Sequence, residues 1–329
     1  MLALSRSDMR ALVSMERAIE LVKVAFADLS AGRATAPLRT AIEVEPGSAT
    51  TLMMPAFVPA AEALGVKVVS VFAGNPGRGL PTIASIVCLI DPETGTPLAI
   101  MDGAYLTALR TGAVSGAATD LLSRPESRTL TVIGAGAQAV MQAVAVAAVR
   151  PIQRIVVVAR NERHLDRFRA TMREDWPAIS GMIETTIDVG SAVRVADVIC
   201  TATTSKTPVF DDADVQPGTH INGVGSFTPS MQELPSATVA RSLVVVDQRE
   251  AALEEAGDLI IPLRAGDIAE QHFGRELGQL VSGDVLGRRH PEEITFFKSV
   301  GNAVQDMAVG RFAYDEALRH GVGQRIALS

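Results

Sequence analysis

The sequence predicts an α/β fold in which a parallel sheet wound with helices is inserted into a separate α+β unit. At 329 residues the chain is longer than one ordinary core accommodates. Strand-like segments separated by turns fill its first third, whereas short apolar runs alternate with helical stretches in its middle. We therefore expect one domain from residues 1–118 plus 300–329, and a second from residues 119–299.

The first region opens with a helix and continues as strands. Residues 14–30 begin with Ser14, a side chain suited to cap a helix, and place Met15, Ile19 and Phe26 at helical spacing. Turn clusters at 45–47, 74–77 and 91–95 favour hairpins between the strands. The predicted strands are 37–45, 50–54, 64–72, 83–90 and 97–101, and a helix is predicted from about 102 to Leu122.

The middle region has the pattern of a parallel sheet covered by helices. The run Ile155-Val156-Val157-Val158 is continuously apolar, as a strand buried on both faces requires. A final helical stretch from about 293 to 320 is assigned to the first domain. The predicted strands are 129–133, 155–159, 183–187, 197–201, 219–223 and 243–247, with helices at 137–149 and 161–173.

Composition argues against several classes of partner. The net charge of −7 is spread along the chain without a basic stripe, so nucleic acid is not an expected partner. No apolar stretch reaches the roughly 20 residues that span a bilayer, and no secretory signal opens the chain. Cys88 and Cys200 lie among apolar neighbours and predict buried, reduced thiols in a cytoplasmic protein. The five histidines show no metal-ligand spacing, so we expect no metal.

A glycine turn follows the strand Thr131-Val132-Ile133. It reads Gly134-Ala135-Gly136-Ala137-Gln138-Ala139 and leads into an Ala/Val-rich helix. The first glycine permits the tight turn, the second lets a pyrophosphate approach the backbone, and the helix N–H groups face the phosphates. Strand, turn and helix in this order predict a Rossmann-type dinucleotide site.

The end of the next strand bears on which dinucleotide binds. Sites for NAD usually carry an acidic residue there, which binds the ribose hydroxyl. Here the strand ends Val158-Ala159-Arg160-Asn161, without an acid and with an arginine suited to a 2′-phosphate. We therefore expect NADPH, with NADH as the alternative if Arg160 is only a solvated surface charge.

Three cations stand in unusual surroundings. Lys67 lies within an apolar strand, and Arg110 is the only charged residue between Gly103 and Thr119. A buried cation needs an anion, so both predict a bound carboxylate, although Lys67 could instead snorkel at an edge. Arg39 is the third cation, and Glu43 on the same strand could pair with it. Together they suggest a clamp for a substrate carboxylate.

With these motifs the whole chain resembles the ornithine cyclodeaminase/mu-crystallin family. The resemblance is carried, in order, by an arginine on an early strand, Lys67, Asp102-Gly103, residues 109–113, residues 134–138 and residues 297–301. It implies a homodimer with a substrate-binding and dimerisation domain and a Rossmann domain. By resemblance, the substrate is held by Arg39, Lys67, Thr82, Arg110 and Ser299, and the cofactor by Gly134, Gly136, Ala137, Gln138, Arg160, Asn161, His164, Thr201, Val224, Ser226 and Lys298.

One departure from the family pattern narrows the expected activity. Ornithine cyclodeaminases carry an aspartate in the loop where this sequence reads Gly225-Ser226-Phe227-Thr228-Pro229. A phenyl ring at Phe227 neither accepts a proton nor holds an ammonium, and this loop is more similar to family members that reduce cyclic imines. We expect NADPH-dependent reduction of a small cyclic 2-imino acid, Δ1-pyrroline-2-carboxylate or Δ1-piperideine-2-carboxylate, with Lys67 and Arg110 as catalytic residues. The alternatives are ornithine cyclodeaminase, alanine dehydrogenase and a non-catalytic NADP-binding protein.

Overall fold

A computed structural model describes residues 1–45 and 48–327 of the chain. The chain divides into two compact units, Met1–Arg110 with Asn302–Ser329, and Thr111–Gly301. It passes from the first unit to the second within a helix that begins at Gly103. Pro46 and Gly47, on which one predicted turn depends, lie outside the described residues.

The first unit contains a seven-stranded sheet and the helices that cover it. Its strands lie in the order β15-β1-β6-β5-β4-β3-β2. The elements are β1 (Leu2–Leu4), α1 (Arg6–Leu12), α2 (Met15–Ser30), β2 (Thr40–Glu45), β3 (Ala49–Val58), β4 (Ala63–Phe72), β5 (Ile83–Ile90), β6 (Pro97–Asp102), the start of α3 (Gly103–Leu122), α12 (Ala303–His320) and β15 (Gln324–Arg325).

The long strands of this sheet form the predicted hairpins. Strands β2 to β6 pair antiparallel in sequence order, whereas β1 joins β6 in parallel. Helix α12 contacts β3, β4 and β5, and burial alternates along β4, so that Lys67 and Val69 lie on the buried face. The sheet therefore aims a lysine into the interior of its own unit.

The second unit is a wound parallel sheet. Its elements are β7 (Thr129–Ile133), α4 (Ala137–Val149), β8 (Arg154–Val158), α5 (Glu162–Asp175), α6 (Pro177–Ser180), β9 (Ile183–Thr186), α7 (Val189–Arg194), β10 (Val198–Thr201), β11 (His220–Gly223), α8 (Ser236–Ala240), β12 (Leu243–Val246), α9 (Arg249–Glu255), α10 (Gly257–Ala265), β13 (Arg275–Glu276), α11 (Leu277–Ser282) and β14 (Thr295–Lys298).

The strand order of this sheet creates a crevice at its carboxyl edge. The order is β13-β12-β14-β11-β10-β7-β8-β9, and all the pairs are parallel. The chain winds from β7 outward to β9 and then returns to place β10 on the other side of β7. Ligands bind at such a switch point, outside the carboxyl ends of the two central strands. The α/β fold class predicted from the sequence is confirmed, and the crevice is where the glycine turn lies.

The C-terminal prediction needs a correction. The stretch from 293 to 320 was expected to be one helix, but it holds strand β14 first and the helix only from Ala303. The run Thr295-Phe296-Phe297-Lys298 combines aromatic and β-branched residues that favour a strand, and β14 inserts between β11 and β12. The side chain of Asn302 then caps α12 by accepting the N–H of Val304.

No helix in the described part of the chain is long and apolar enough to cross a membrane. Both cysteines are free thiols, Cys200 fully buried and Cys88 half-buried. Burial raises the pKa of Cys200 to about 12 and also raises that of Cys88. Thiols held in their neutral form are poor nucleophiles, so neither cysteine is a candidate for catalysis.

Candidate active site and dinucleotide cleft

The first unit holds a buried cluster of two cations and one carboxylate, here called the cation cluster: Lys67, Arg110 and Asp306. Lys67 comes from β4, Arg110 from α3 and Asp306 from α12. The Lys67 Nζ lies 2.8 Å from Asp306 Oδ2, and Arg110 Nε donates to Asp306 Oδ1 at 3.2 Å. All three residues are at most 5% exposed. Two cations against a single carboxylate leave the cluster with an excess of positive charge.

This arrangement corrects the sequence-based picture of isolated cations. Lys67 and Arg110 were expected to lie without a partner in the protein, yet they share Asp306. The aspartate was missed because acidic residues are common on the solvated faces of helices. A signal was nevertheless present, since Asp306 is the only charged residue between Ser299 and Gly310, much as Arg110 is in its helix.

Gln305 extends the cluster with an unused donor. Arg110 Nη1 donates to Gln305 Oε1 at 2.6 Å, which fixes the orientation of the amide. Within the described residues, the buried Gln305 Nε2 has no hydrogen-bond partner. A buried donor without an acceptor costs free energy, so it favours an incoming group with oxygen lone pairs. The cluster thus offers N–H groups from three residues to an anion.

The electrostatics give Lys67 an unusual proton affinity. Burial and, next, the Arg110 charge lower the pKa of Lys67 to about 7. Asp306 opposes this shift, whereas the Arg39 charge adds to it. Near neutral pH, Lys67 can therefore exchange a proton with a bound molecule, which an ordinary lysine does poorly.

The other two predicted substrate residues of the first unit differ in their placement. Arg39 lies directly before β2, is half-buried, and acts on Lys67 through its charge. Thr82 lies directly before β5 and is exposed, and its carbonyl accepts the N–H of Phe72. The structure therefore associates Arg39 with the cation cluster more closely than Thr82.

The glycine turn in the second unit has the geometry that a pyrophosphate requires. Gly134 has a φ of +117°, and a Cβ there would lie 2.5 Å from the carbonyl oxygen of Ala202. A Cβ on Gly136 would meet nothing within 4 Å, so the backbone is open to a ligand at that point. Gly136 directly precedes α4, and no side chain caps this helix, so its first N–H groups, those of Ala137 and Gln138, are available to an anion.

A cavity of about 610 Å³ lies beside this turn, within the second unit. We call it the dinucleotide cleft. Arg160 and His164 lie in its wall, and Asn161 caps α5 by accepting the N–H of His164 at 3.1 Å. No acidic side chain is among the described lining residues: Ile133, Gly134, Ala135, Val158, Ala159, Arg160, His164, Ile187, Val189, Ala202, Thr203, Thr204, Ser205, Lys206 and Val209. The glycine turn, the volume of the cleft and the positive charge of Arg160 are all suited to a dinucleotide.

Four predicted site residues have their polar side-chain atoms committed to the protein interior. Thr201 Oγ1 donates to Glu233 Oε2, and Ser226 Oγ donates to the carbonyl oxygen of Met231. Lys298 Nζ donates to the Ser226 carbonyl oxygen and to Asp258 Oδ2, and Ser299 Oγ donates to Asp247 Oδ2. These four side chains thus use their polar atoms within the protein, and their expected contacts with the ligands stay a prediction. Val224 is half-buried after β11, and its N–H donates to the Thr201 carbonyl.

A second buried cluster was not predicted from the sequence. It consists of Glu233, Asp258 and Lys298 and is here called the loop cluster. All three side chains are fully buried. Burial and the neighbouring Asp258 raise the pKa of Glu233, while Lys298 and the Thr203 N–H oppose that shift. The resemblance places Lys298 among the residues that hold the cofactor, whereas neither carboxylate was predicted to have a role.

These observations define the class of the protein, an enzyme with a dinucleotide-binding parallel sheet and a separate buried cation cluster. The chain belongs to the ornithine cyclodeaminase/mu-crystallin family, whose model matches residues 1–321. It is similar to the Delta(1)-pyrroline-2-carboxylate reductase of Bacillus cereus, with 43% identity over 327 residues and 99% of each chain covered.

Solved structures agree with this assignment. The Delta(1)-pyrroline-2-carboxylate reductase of Thermococcus litoralis, in complex with NADH and L-proline, matches with a TM-score of 0.94 and 43% identity, covering 99% of this chain and 100% of that one. An archaeal alanine dehydrogenase dimer with bound NAD matches with a TM-score of 0.92 and 34% identity, covering 100% and 99%. The resemblance stated from the motifs is thereby confirmed.

Proposed function

We propose that this protein catalyses the NADPH-dependent reduction of a small cyclic 2-imino acid, with Δ1-pyrroline-2-carboxylate giving L-proline. Δ1-Piperideine-2-carboxylate, giving L-pipecolate, is a second substrate of the same chemistry. The observation that carries the proposal is the cation cluster, in which two buried cations share one carboxylate. The similarity to pyrroline-2-carboxylate reductases, one of them in complex with L-proline, supports the same substrate class.

In this proposal, the cluster both binds and activates the substrate. The guanidinium of Arg110 and the ammonium of Lys67 hold the substrate carboxylate, and Arg39 adds positive charge. The bound nicotinamide supplies a hydride to the imine carbon. Lys67 donates the proton that the imine nitrogen needs, which its pKa of about 7 allows at neutral pH. One hydride and one proton convert the C=N bond into CH–NH, and solvent returns a proton to Lys67.

The preference for NADPH rests on the cleft wall. Arg160 is exposed at the end of β8, and no carboxylate among the described lining residues would repel a 2′-phosphate. Because the Thermococcus litoralis relative is in complex with NADH, the two cofactors need direct comparison. Replacing Ala159 by Asp and Arg160 by Ala should reverse the preference. A lower KM for NADH in the unaltered protein would contradict it.

We also propose a homodimer, formed through the uncovered face of the seven-stranded sheet. Strand alternation and register put Ile42 and Ile86 on the face opposite Lys67. They are 49% and 54% exposed, an apolar surface of the kind that pairs with another chain. Light scattering should give twice the chain mass, and Ile42→Asp should shift the measured mass toward that of the single chain.

The free thiols agree with a reducing, cytoplasmic location.

The decisive assay follows NADPH and NADH oxidation with a panel of cyclic 2-imino acids and 2-oxo acids with ammonia. We expect turnover with the five- and six-membered imines. Turnover confined to pyruvate and ammonia would instead make the protein an alanine dehydrogenase, an activity of another relative, 34% identical, from Archaeoglobus fulgidus. Since Phe227 is half-buried in the loop after β11 and offers no acceptor, ornithine with NAD should give no ammonia.

A further inference from the structure

One fully buried carboxylate, that of Glu233, joins two loops at the edge of the dinucleotide cleft. The first loop follows β10 and lines the cleft from Ala202 to Lys206. The second loop follows β11 and contains Gly225, Ser226 and Glu233 itself. Since the carboxyl ends of neighbouring parallel strands lie at one edge of a sheet, both loops border the place where a dinucleotide binds.

The hydrogen bonds of Glu233 are divided between these loops. Its Oε1 accepts the N–H of Thr203 at 2.6 Å. Its Oε2 accepts the hydroxyl of Thr201 at 3.0 Å, the N–H of Gly225 at 2.8 Å and the N–H of Ser226 at 3.1 Å. Four donors thus converge on the two oxygens of one side chain. A carboxylate satisfies all four because it only accepts, whereas an amide would turn one NH₂ group toward an N–H.

The backbones of the two loops pack closely, and the Val224 N–H also donates to the Thr201 carbonyl at their start. A Cβ on Gly225 would lie 2.2 Å from the Thr203 carbonyl oxygen and 2.4 Å from Glu233 Oε1. The two loops therefore touch through backbone alone at this point. Glu233 is itself fixed from behind, since its own N–H donates to Asp258 Oδ1 at 2.6 Å and Asp258 pairs with Lys298 at 2.9 Å.

We infer that Glu233 is a positioning residue for the dinucleotide: its carboxylate holds the loops after β10 and β11 in the arrangement that the cofactor needs. It makes this arrangement before the cofactor arrives, so binding does not have to order the loops. The inference rests on the proposed use of NADPH, and it assigns no contact between Glu233 and the cofactor.

The chain offers a matched control at the opposite edge of the same sheet. Asp197 precedes β10 and accepts the N–H groups of Arg128 and Thr129 at 2.8 and 2.9 Å, and Arg124 donates to it at 2.6 Å. It therefore joins the amino ends of β7 and β10 much as Glu233 joins the loops at their carboxyl side. Asp197→Asn makes the same chemical change as Glu233→Gln, away from the cleft.

The test measures the Kd of NADPH by its fluorescence, together with Tm, for both variants. We expect Glu233→Gln to raise Kd about tenfold or more, because loop displacements of about 1 Å have large effects on ligand sites. The KM of the imine should change much less than that of NADPH. Asp197→Asn should lose a comparable number of degrees in Tm with Kd within about twofold.

Each other outcome has a definite meaning. Equal Kd values for the two variants at equal loss of Tm would overturn the inference and leave the proposed function intact. Failure of the unaltered protein to bind NADPH or NADH would overturn the proposed function, and the inference with it. If Glu233→Gln does not fold, Thr201→Val removes only one of the four donors. A raised Kd in that variant supports the inference, and an unchanged Kd overturns it.

Discussion

The two units each bury a lysine beside an aspartate, but the two clusters are balanced in opposite ways. In the cation cluster, Lys67 and Arg110 face the single carboxylate of Asp306. In the loop cluster, Lys298 faces two carboxylates, those of Asp258 and Glu233. Glu233 is also saturated by three backbone N–H groups and one hydroxyl.

This difference in charge balance distinguishes a ligand-binding site, the cation cluster, from a structural element, the loop cluster. The carboxylates of the loop cluster have their donors in neighbouring backbone, so nothing from outside is needed to complete it. The cation cluster keeps an excess cation and the unpartnered Gln305 Nε2 among the described residues. Buried ion pairs are weak evidence for stability, and here the sign of the imbalance is more informative than the pairing itself. An unbalanced buried cluster indicates the charge of its ligand.

The largest effect is expected from removing the anion that the two cations share. Asp306→Asn leaves two buried cations without a counter-ion, which should cost about 3–5 kcal/mol in the free energy of unfolding at pH 6. Urea unfolding at pH 6 and pH 8.5 measures it. Asp258→Asn is the comparison in the loop cluster, where Glu233 still provides negative charge beside Lys298.

The pH dependence of that loss follows from Lys67. Its pKa is about 7 in the folded protein against 10.5 for an ordinary lysine, so the unfolded chain holds more protons between these values. Stability of the unaltered protein should therefore rise with pH across that window. Because Lys67 is mostly neutral at pH 8.5, Asp306→Asn should cost less there than at pH 6. An equal cost at both values would contradict the lowered pKa.

A smaller effect is expected from removing one cation, and it should appear in substrate binding. Arg110→Met leaves the Lys67–Asp306 pair in place, so Tm should stay within a few degrees. Losing a charge-assisted hydrogen bond to the substrate carboxylate costs about 1.5–3 kcal/mol, which raises KM about ten- to a hundredfold.

Arg150 provides the control for this variant. It is a half-buried arginine whose donors reach the hydroxyl of Ser123 and the carbonyls of Thr119 and Asp120. Arg150→Met should therefore lose Tm and keep the KM of the imine. The same pattern in Arg110→Met would make Arg110 a structural residue and remove the distinction between the clusters.

The smallest effect concerns protonation of Lys67 during turnover. If its ammonium form donates the proton, kcat/KM should fall about tenfold per unit as pH rises above about 7. Lys67→Met should lower kcat and abolish this limb. A limb that persists unchanged in Lys67→Met would belong to the imine substrate or to another group.

How far the sequence anticipates this molecule depends on whether its signals are local. Strand, turn and helix around Gly134 are contiguous in sequence, and so are the alternation in 64–72 and the cap at Ser14. The structure has all of them close to the expected bounds. Strand β14 was not predicted because its four residues, next to a helix, are too few to show an alternating pattern of burial.

For the same reason, the sequence predicted only some of the buried charged residues. Lys67 and Arg110 stand out because each is alone in an apolar segment, and that argument applied equally to Asp306. Glu233 gave no such signal, since it lies among polar and turn-forming residues. Asp258 gave none because an acidic residue in the first turn of a helix is ordinary. Their roles arise from the loop after β10, the loop after β11 and helix α10, which are distant in sequence and which only the fold brings together.

The most direct test of the cation cluster compares two substrates that differ only in the carboxylate. NADPH oxidation is measured with Δ1-pyrroline-2-carboxylate and with Δ1-pyrroline, in the unaltered protein and in Arg110→Met. If the cluster binds the carboxylate, the unaltered protein should favour the first substrate by about a hundredfold or more in kcat/KM, and Arg110→Met should lose most of that ratio. An equal ratio in both proteins would show that Arg110 does not bind the carboxylate and would contradict the account.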